Sequence, residues 1–363
     1  MPELPELHMA SSFVNAVGRQ HVFTGKVCKS DVHRSEDLAF SCPRYTITSQ
    51  VRGKEMSLIL TPQSTSRQSV RLLFHMGMSG QFQFTKSDEL HKHAHLTFFT
   101  LQKPVMALSF VDVRRFGGWQ VKEGWGDDRG PDPVDEHKEF RKNIEENLEK
   151  SVFNKPICEV MMDQKYFNGI GNYLRAEILF RANVRPFECA RSVLESLFGN
   201  SHDKEAPKKQ LCRKRATGKV QRRKRLHEAA DCDFLQLCQA VPLEVMALAT
   251  TPRDRTARLP DGLFPDPFVG TGYNSSNKEL IAAFESWLKC YYKPGMKNLI
   301  DHSGRTVWFK GDPGPLAPKA QKSRGRRKRK LDNDQKIKTE VSKADSEEEL
   351  KKLTKTAKRV RRK

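Results

Sequence analysis

The spacing of apolar residues changes once along this chain, at about residue 130, and the change divides it into a β half and a helical half. Before that point apolar and polar residues alternate, which predicts strands with one buried face. The segments with this pattern are 44–60, with a turn at 52–54, and 70–74, 81–84, 95–100 and 106–113. A helix is predicted ahead of them at 5–17, ended by Gly18. Residues 1–125 are therefore predicted to form a β domain of sandwich or barrel type that carries an N-terminal helix.

Beyond residue 130 the apolar residues follow helical spacing. Helices are predicted at 136–148, 156–164 with Pro156 in its first turn, 173–182, 192–197, 233–248 and 279–291. A dense turn occupies 166–172, and strands at 299–300 and 306–309 flank a hairpin turn. The chain is therefore predicted to be α+β, with a helical domain at 130–290, a hairpin unit at 291–318 and a disordered tail at 319–363.

Two segments account for the whole net charge of +21. Residues 319–363 contain 19 Lys and Arg against 7 Asp and Glu, and residues 207–226 contain 10 Lys and Arg and no acid. An excess of this size favours a polyanionic partner, chiefly nucleic acid. The alternative is a protein that merely carries one basic tail. Because the rest of the chain is close to neutral, a specific site there must be built from few charges.

The eight cysteines, the apolar runs and the histidines exclude several classes of protein. No two cysteines form a CxxC pair, which indicates reduced thiols and argues against a disulfide framework or a zinc finger. The first residues lack the apolar core of a signal peptide, and no apolar run approaches the roughly 18 residues of a membrane span. No membrane is therefore expected. His91, His93 and His95 alternate without an accompanying carboxylate or cysteine pattern, so no metal site is expected either.

Pro2 directly follows the initiator methionine, which is normally removed before a small residue. A free N-terminal proline is a secondary amine that can attack an electrophilic sugar carbon and form an iminium, as lysine does in Schiff-base enzymes. With a reference pKa of about 7.7–8.0, an α-amine is partly neutral near pH 7. Many chains begin Met-Pro without catalytic meaning, so the dipeptide alone does not decide the matter. The neighbouring Glu3 and Glu6 have two interpretations as well: proton transfer beside the amine, or favourable charge at a helix N-terminus.

Several motifs, in order along the chain, resemble those of the formamidopyrimidine glycosylase and endonuclease VIII superfamily. They are Met1–Glu6 (MPELPE), Arg52–Glu55 (RGKE), His75–Gly80 (HMGMSG), Val111–Gly117 (VDVRRFG), Phe167–Leu174 (FNGIGNYL) and Gly304–Leu316 (GRTVWFKGDPGPL). The resemblance covers about residues 1–319. It implies a β-sandwich, a helical domain with a helix–two-turn–helix, and a zincless-finger hairpin at 291–318.

The resemblance implies a DNA glycosylase and abasic-site lyase of base excision repair, which removes oxidised pyrimidines and ring-opened purines. It implies that Pro2 is the Schiff-base nucleophile and that Glu3 moves protons at the sugar ring. Lys54 is implied to hold a phosphate and to help protonate the leaving base, tasks that suit a compact charge with three donors. β- and δ-elimination then cut the strand. The amine chemistry needs no cofactor.

By the same resemblance, Met78, Arg114 and Phe116 fill the gap that an extruded base leaves in the duplex. Extrusion costs a few kcal/mol, and an apolar wedge with an arginine recovers part of that cost. Core packing is the alternative for Met78 and Phe116, and a salt bridge to Asp112 is the alternative for Arg114.

Asn172, Arg305 and His93 are the implied contacts to the DNA backbone. Asn172 lies in the turn before a helix, where backbone amides bind phosphate, and Arg305 lies in the hairpin turn. Relatives that bind zinc in this finger use four cysteines, whereas only Cys290 is nearby here. No metal is therefore expected in the finger.

Lesion recognition is assigned to Glu6, Thr271 and Tyr273, the last two in the loop 270–273. Close relatives often have lysine in place of Thr271, and an unfamiliar insert at 250–268 precedes the loop. Leu4 also stands where a vertebrate branch usually has glycine. These departures bear on lesion preference and leave the implied chemistry unchanged.

The expected partner is damaged DNA, whether duplex, bubble or single strand, bound by a monomer. The run Arg324–Lys330 in the basic tail predicts a nuclear protein, and the tail offers a surface for other repair or replication proteins. The rival hypothesis is a chromatin-binding protein without catalytic activity, since phosphate contacts alone give binding.

Overall fold

The computed structural model describes residues 2–64, 68–198, 233–249 and 278–318. Its strands are β1 (Phe23–Lys29), β2 (Ser41–Arg52), β3 (Glu55–Pro62), β4 (Val70–His75), β5 (Gly80–Lys86), β6 (Ala94–Thr100), β7 (Met106–Asp112), β8 (Gly118–Val121), β9 (Lys297–Ile300) and β10 (Thr306–Phe309). Its α-helices are α1 (Leu4–Gln20), α2 (His137–Asn147), α3 (Ile157–Val160), α4 (Asn172–Arg181), α5 (Ala190–Phe198), α6 (Phe234–Ala249) and α7 (Lys278–Trp287). None of these helices combines the length and apolar character needed to cross a membrane.

Eight antiparallel strands form one continuous sheet in the order β5-β7-β6-β1-β2-β3-β4-β8. Phe74, on β4 near one end of that order, packs edge-on against Phe82 on β5 and Phe110 on β7, near the other end. The ring centroids are 5.3 Å apart in both pairs. The sheet therefore curls back on itself, and its two layers enclose an apolar core. This is the predicted β-sandwich.

Helix α1 lies against β2 and is longer than the sequence predicts. Gly18 was expected to end it, but the helix continues to Gln20. A Cβ on Gly18 would lie 2.0 Å from the carbonyl oxygen of Ile47. The glycine thus permits close contact between helix and strand rather than ending the helix.

The helical half forms its own hydrophobic core. Two of its helices are shorter than the sequence predicts. The helix expected at 156–164 is only the four-residue α3, with Pro156 as its N-cap. The helix expected at 279–291 ends at Trp287. It stops there because the buried Glu177 carboxylate accepts the backbone amides of residues 289, 290 and 291, so these groups no longer continue the helix.

Leu4, the first residue of α1, belongs to the core of the helical half. Its side chain is fully buried there, and its amide donates to the Gly169 carbonyl at 3.0 Å. The described residues up to Ala317 form one compact unit. The start of the chain is therefore held between the β-sandwich and the helices, and this placement builds the site described next.

Candidate active site

The carboxylate of Glu3 is buried at the N-terminus of helix α4. Its oxygens accept the backbone amides of Gly171 at 2.8 Å, Tyr173 at 3.0 Å and Leu174 at 3.1 Å. Only 2% of Glu3 is exposed. The unpaired backbone amides and the positive end of the dipole at a helix N-terminus favour an anion. Here the anion is the side chain of Glu3, which lies 168 residues before Gly171 in the chain.

Gly171 makes room for this carboxylate. A Cβ at that position would lie 2.2 Å from the Glu3 carboxyl carbon. Burial raises the pKa of Glu3, while the Lys54 charge and the three amide hydrogen bonds oppose the rise. The burial and these opposing contacts act on a carboxyl group whose pKa is raised, a pattern found at sites of proton transfer.

Glu6 is the second buried carboxyl group of the site. It accepts the Glu3 amide at 2.8 Å and the Tyr173 hydroxyl at 2.9 Å. Burial, together with the charge of Glu3, raises the pKa of Glu6 to about 7. Because 2% of Glu6 is exposed, it has little direct contact with solvent. The helix-terminus interpretation is confirmed, because Glu3 and Glu6 form a capping box at the start of α1 and Glu3 also caps α4. The proton-transfer interpretation stays a prediction.

Lys54 lies in the two-residue turn between β2 and β3. Its ammonium group donates to the Ile170 carbonyl at 2.6 Å. Burial lowers the pKa of Lys54 to about 8, although the Glu3 charge raises it. The charge of Arg305 also acts on this pKa and lowers it. Lys54, Glu3 and Arg305, which are far apart in the sequence, are thus electrostatic neighbours.

The turn that carries Lys54 is held from both sides. Gly53 has a φ of +60°, as the first position of some tight hairpin turns requires, and its amide donates to the Asp132 carboxylate at 2.8 Å. The Lys54 amide donates to the Asn168 side chain at 3.3 Å. Asp132 also contacts the His8 imidazole of α1 at 3.2 Å. The turn is therefore fixed relative to the helix that begins beside Pro2.

Pro2 is half-buried and immediately precedes Glu3. The structure places it at the junction of the two halves of the molecule, since Leu4 is already part of the helical core. Pro2, Glu3, Glu6 and Lys54 are therefore grouped around the N-terminus of α1 and the first turn of α4.

Met78, Arg114 and Phe116 meet on two exposed loops of the sandwich. The Arg114 guanidinium donates to the Met78 sulfur at 3.5 Å and lies 5.4 Å from the centre of the Phe116 ring. Met78 is 44% exposed and Phe116 is 51% exposed, so core packing is excluded for both. Asp112 contacts Arg114 through the backbone, since its carboxylate accepts the Arg114 amide at 3.2 Å. The guanidinium instead lies against Met78 and Phe116, so the predicted alternative of a salt bridge to Asp112 is not what the structure shows.

Asp112 fixes the two loops that carry these side chains. It is fully buried, and its carboxylate accepts the Gly117 amide at 2.7 Å and the Ser79 hydroxyl. One carboxylate therefore holds the loop of Met78 and the loop of Phe116. The exposed wedge depends on this buried anchor for its position.

Asn172 and Arg305 are both hydrogen-bonded to one buried ion pair, that of Arg175 and Asp301. The Asn172 side-chain oxygen accepts a hydrogen bond from Arg175 at 2.6 Å. Arg175 also contacts the Asp301 carboxylate at 2.9 Å, and that carboxylate accepts the Arg305 amide at 2.8 Å. Arg305 is exposed and Asn172 is half-buried.

His93 is partly exposed, and its carbonyl accepts the Asp112 amide at 3.1 Å. Its ring centroid is 5.5 Å from that of His91 and 6.2 Å from that of the buried His95. His95 hydrogen-bonds to Ser30 at 2.8 Å and to the Asp112 carbonyl at 3.0 Å, so its role is structural. Within the described ranges, no group of three or more His, Cys, Asp or Glu is arranged to hold a metal.

Thr271, Tyr273 and the insert at 250–268 lie outside the described residues, as do the basic stretch 207–226 and the tail. Their predicted roles stay predictions. Conversely, the structure adds Tyr173, Asp132 and Arg175 to the site. Tyr173 and Arg175 stand within or beside the FNGIGNYL motif, so a closer interpretation of that motif could have found them, whereas nothing local singles out Asp132.

Three protein-family models match successive parts of the chain. Residues 1–119 match the formamidopyrimidine-DNA glycosylase N-terminal domain, and residues 129–206 match the helix–two-turn–helix domain of the same enzymes. Residues 281–318 match the DNA-binding domain of Endonuclease VIII-like 1.

Two mammalian relatives match most of the chain. It is 46% identical to Endonuclease 8-like 1 of Homo sapiens over 329 residues, 89% of this chain and 76% of that protein. It is 41% identical to Endonuclease 8-like 1 of Mus musculus, over all of this chain and 84% of that protein. The chain belongs to the formamidopyrimidine-DNA glycosylase and endonuclease VIII family. It is accordingly a DNA glycosylase of base excision repair, and the predicted family and enzyme class are confirmed.

Solved structures of the family share this α+β fold. The formamidopyrimidine-DNA glycosylase MutM of Thermus thermophilus aligns with 86% of this chain and all of its own, at a TM-score of 0.52 and 23% identity. The Lactococcus lactis enzyme in complex with DNA containing an abasic site aligns with 85% of this chain and 97% of its own, at a TM-score of 0.55 and 18% identity. At these identities the likeness concerns the fold, which confirms the predicted fold class.

Proposed function

We propose that this glycosylase is bifunctional and that the Pro2 amine forms a Schiff base with the sugar of a damaged nucleotide. The single observation that supports this most is the placement of Glu3. Its carboxylate is buried and raised in pKa, next in sequence to Pro2 and within electrostatic range of Lys54. A proton-transferring acid beside a neutral amine is what iminium chemistry at a sugar requires.

The proposed reaction begins with attack of the Pro2 nitrogen on C1′ of the deoxyribose. The N–C1′ bond to the enzyme forms while the glycosidic bond breaks, and the base leaves with the bonding electron pair and takes up a proton. Glu3 protonates the ring oxygen as the sugar opens to the iminium. Lys54 holds the adjacent phosphate and assists protonation of the leaving base, a role that its pKa of about 8 supports.

Strand cleavage follows from the iminium. Loss of a proton from C2′ allows β-elimination of the 3′ phosphate, and δ-elimination then releases the 5′ phosphate. Hydrolysis of the iminium by water returns the free Pro2 amine and releases the sugar fragment as an aldehyde. No step requires a metal, since the amine itself supplies the electrophilic activation.

We propose that the substrates are oxidised pyrimidines and ring-opened purines in duplex, bubble or single-stranded DNA. The wedge of Met78, Arg114 and Phe116 suits a site that must replace an extruded base, because these side chains are exposed and in mutual contact. Asn172, Arg305 and His93 would contact the backbone. Glu6, Thr271 and Tyr273 would read the lesion.

Borohydride trapping tests the reaction. Reduction during turnover of a lesion duplex should leave a stable adduct that peptide mapping places on Pro2, with Met1 removed. Glu3→Gln should bind DNA and lose base excision by about 10²–10⁴-fold, the usual contribution of a general acid–base. An adduct on an internal lysine would refute Pro2 as nucleophile. Binding without any adduct or strand cleavage would instead support the non-catalytic chromatin protein.

We also propose that the enzyme acts in the nucleus, directed there by the basic tail. A fluorescent fusion of the full chain should concentrate in nuclei, whereas one that ends at residue 318 should not. Equal distribution of the two fusions would contradict this role. The tail should also add to DNA affinity at low salt, because each phosphate contact releases about 0.9 counterion from duplex DNA.

A further inference from the structure

The Arg175 guanidinium is fully buried between helix α4 and the β9–β10 hairpin. One terminal nitrogen donates to the Asn172 side-chain oxygen at 2.6 Å, and the other contacts the Asp301 carboxylate at 2.9 Å. The remaining contacts are the carbonyl oxygens of Cys158 at 2.8 Å and Thr306 at 3.3 Å. We propose that Arg175 is a positioning residue that orients both Asn172 and the Arg305 turn toward one DNA strand. This inference rests on the proposed contacts of Asn172 and Arg305 with DNA.

The contact with Asn172 fixes which way its amide faces. A guanidinium has five donors and no acceptor, so only the oxygen of the amide can face it. The two N–H donors of Asn172 are therefore turned away from Arg175. Since Asn172 is half-buried at the first turn of α4, these donors are available to a phosphate oxygen. Without Arg175 the amide could rotate and present its oxygen, which a phosphate would repel.

The contact with Asp301 organises the hairpin turn. One oxygen of Asp301 receives Arg175, and the other accepts the amides of Ser303 at 3.0 Å and Arg305 at 2.8 Å. Only 4% of Asp301 is exposed, so its charge depends on Arg175 for compensation. Because this carboxylate closes the turn, Arg175 indirectly sets the direction in which Arg305 leaves it.

The effect of Arg305 on the pKa of Lys54 is consistent with both residues contacting the same stretch of DNA. The Arg305 charge lowers the pKa of Lys54, which places Arg305 within range of the proposed catalytic groups. Arg175 itself is inside the protein and does not reach DNA. Its effect on DNA affinity must therefore pass through Asn172 and Arg305, so a substitution of Arg175 should have no further effect once both of those residues are removed.

The inference therefore predicts that these substitutions have non-additive effects on DNA affinity. Arg175→Lys keeps the charge but loses the planar fork that bridges two partners. We expect it to weaken binding of a duplex with a tetrahydrofuran abasic analogue by about tenfold, in line with loss of one or two oriented hydrogen bonds. In the Asn172→Ala/Arg305→Ala background, which lacks both contacts, adding Arg175→Lys should change Kd by less than about twofold. An equal weakening in both backgrounds, or none in the wild type, would overturn the proposal.

A second variant keeps the proposal testable if Arg175→Lys folds poorly. Asn172→Asp retains an oxygen toward Arg175 and makes that hydrogen bond charge-assisted, while it removes both donors. It should raise the melting temperature and weaken DNA binding at least as much as Asn172→Ala. A lowered melting temperature or unchanged affinity would mean that the amide faces the other way. Because affinity for an abasic analogue requires no chemistry, failure here is distinct from failure of borohydride trapping.

Discussion

The His8 imidazole contacts the Asp132 carboxylate at 3.2 Å and so joins helix α1 to the turn that carries Lys54. Burial alone lowers the pKa of His8, but the hydrogen bond to Asp132 and the charges of Asp132 and Asp135 more than offset this, so the pKa is raised. For Asp132, burial raises the pKa, but His8 and the bound amides lower it overall. Both shifts favour the charged form of the pair in the folded protein.

We predict that His8→Leu destabilises the protein more at pH 5.5 than at pH 8.5. A histidine with a raised folded pKa contributes stability that is full below its unfolded pKa of about 6.5 and is lost as the pH rises through the folded value. The loss at pH 5.5 should be about 1–3 kcal/mol, as for a hydrogen bond between charged groups. Denaturant unfolding at both pH values measures it. His8→Gln, which keeps a neutral donor, should lose less stability than His8→Leu at both pH values while showing the same trend with pH. An equal loss for His8→Leu at both pH values would contradict the assignment.

Glu6→Gln should stabilise the protein at pH 8 and have little effect at pH 5. The pKa of Glu6 rises to about 7 in the folded state from its ordinary value of 4.5. Between these values the folded state binds more protons, so wild-type stability falls as the pH rises from about 4.5 to 7. Removing the charge should recover on the order of 3 kcal/mol above pH 7. The exposed Glu195→Gln is the matched control, and a benefit of equal size from it would refute the argument.

Gly171→Ala should abolish most base excision. The new Cβ would lie 2.2 Å from the Glu3 carboxyl carbon, so the carboxylate must leave the amides of α4. We expect excision by saturating enzyme to fall by about 10²-fold or more, as when a general acid is lost. Gly25→Ala is the control, because Gly25 has a φ of +79° and a Cβ added there would meet nothing within 4 Å, so backbone strain is its only cost. Full activity in Gly171→Ala would show that Glu3 does not need these amides.

Met78→Ala and Phe116→Ala should leave stability within about 0.5 kcal/mol of the wild type, because both side chains are exposed. Each should weaken binding to a lesion duplex and leave binding to undamaged duplex nearly unchanged, since only the former contains an extruded base. Phe74→Ala, at a fully buried position, should instead lose about 3–5 kcal/mol of stability. Equal weakening on both duplexes would argue that the two residues contact only the backbone.

Local sequence patterns predicted the regular parts of this fold well. Alternation with a glycine between the runs identified the β2–β3 hairpin, whose register pairs Arg52 with Glu55. Strand β1 was missed because its pairing with β2 shifts between Phe23 and Gly25, which interrupts the alternation. Strand β8 was missed because it has only four residues, two of them exposed. Short or irregular strands depend on neighbours that the sequence alone does not reveal.

The candidate site likewise contains residues that the sequence predicted and partners that it did not. The residues predicted for it came from motifs, and the structure brings Glu3, Glu6 and Lys54 together. Their partners are distant in sequence: Asp132 lies 79 residues from Gly53, and Asp301 lies 126 residues from Arg175. Such contacts carry no local signal, because any buried carboxylate can accept an amide or pair with an arginine. They became visible only once the two halves of the molecule were folded together.

The position of Glu3 also bears on how the protein is made. Its amide partners at 171–174 are synthesised 168 to 171 residues after it. Domains of a growing chain generally fold in order from the N-terminus. A β-sandwich that has already folded on the ribosome would thus display Leu4 and Glu3 without their partners. The emergence of helix α4 both completes the active site and covers this apolar and charged edge, so catalytic competence and the end of an aggregation-prone interval during translation would coincide.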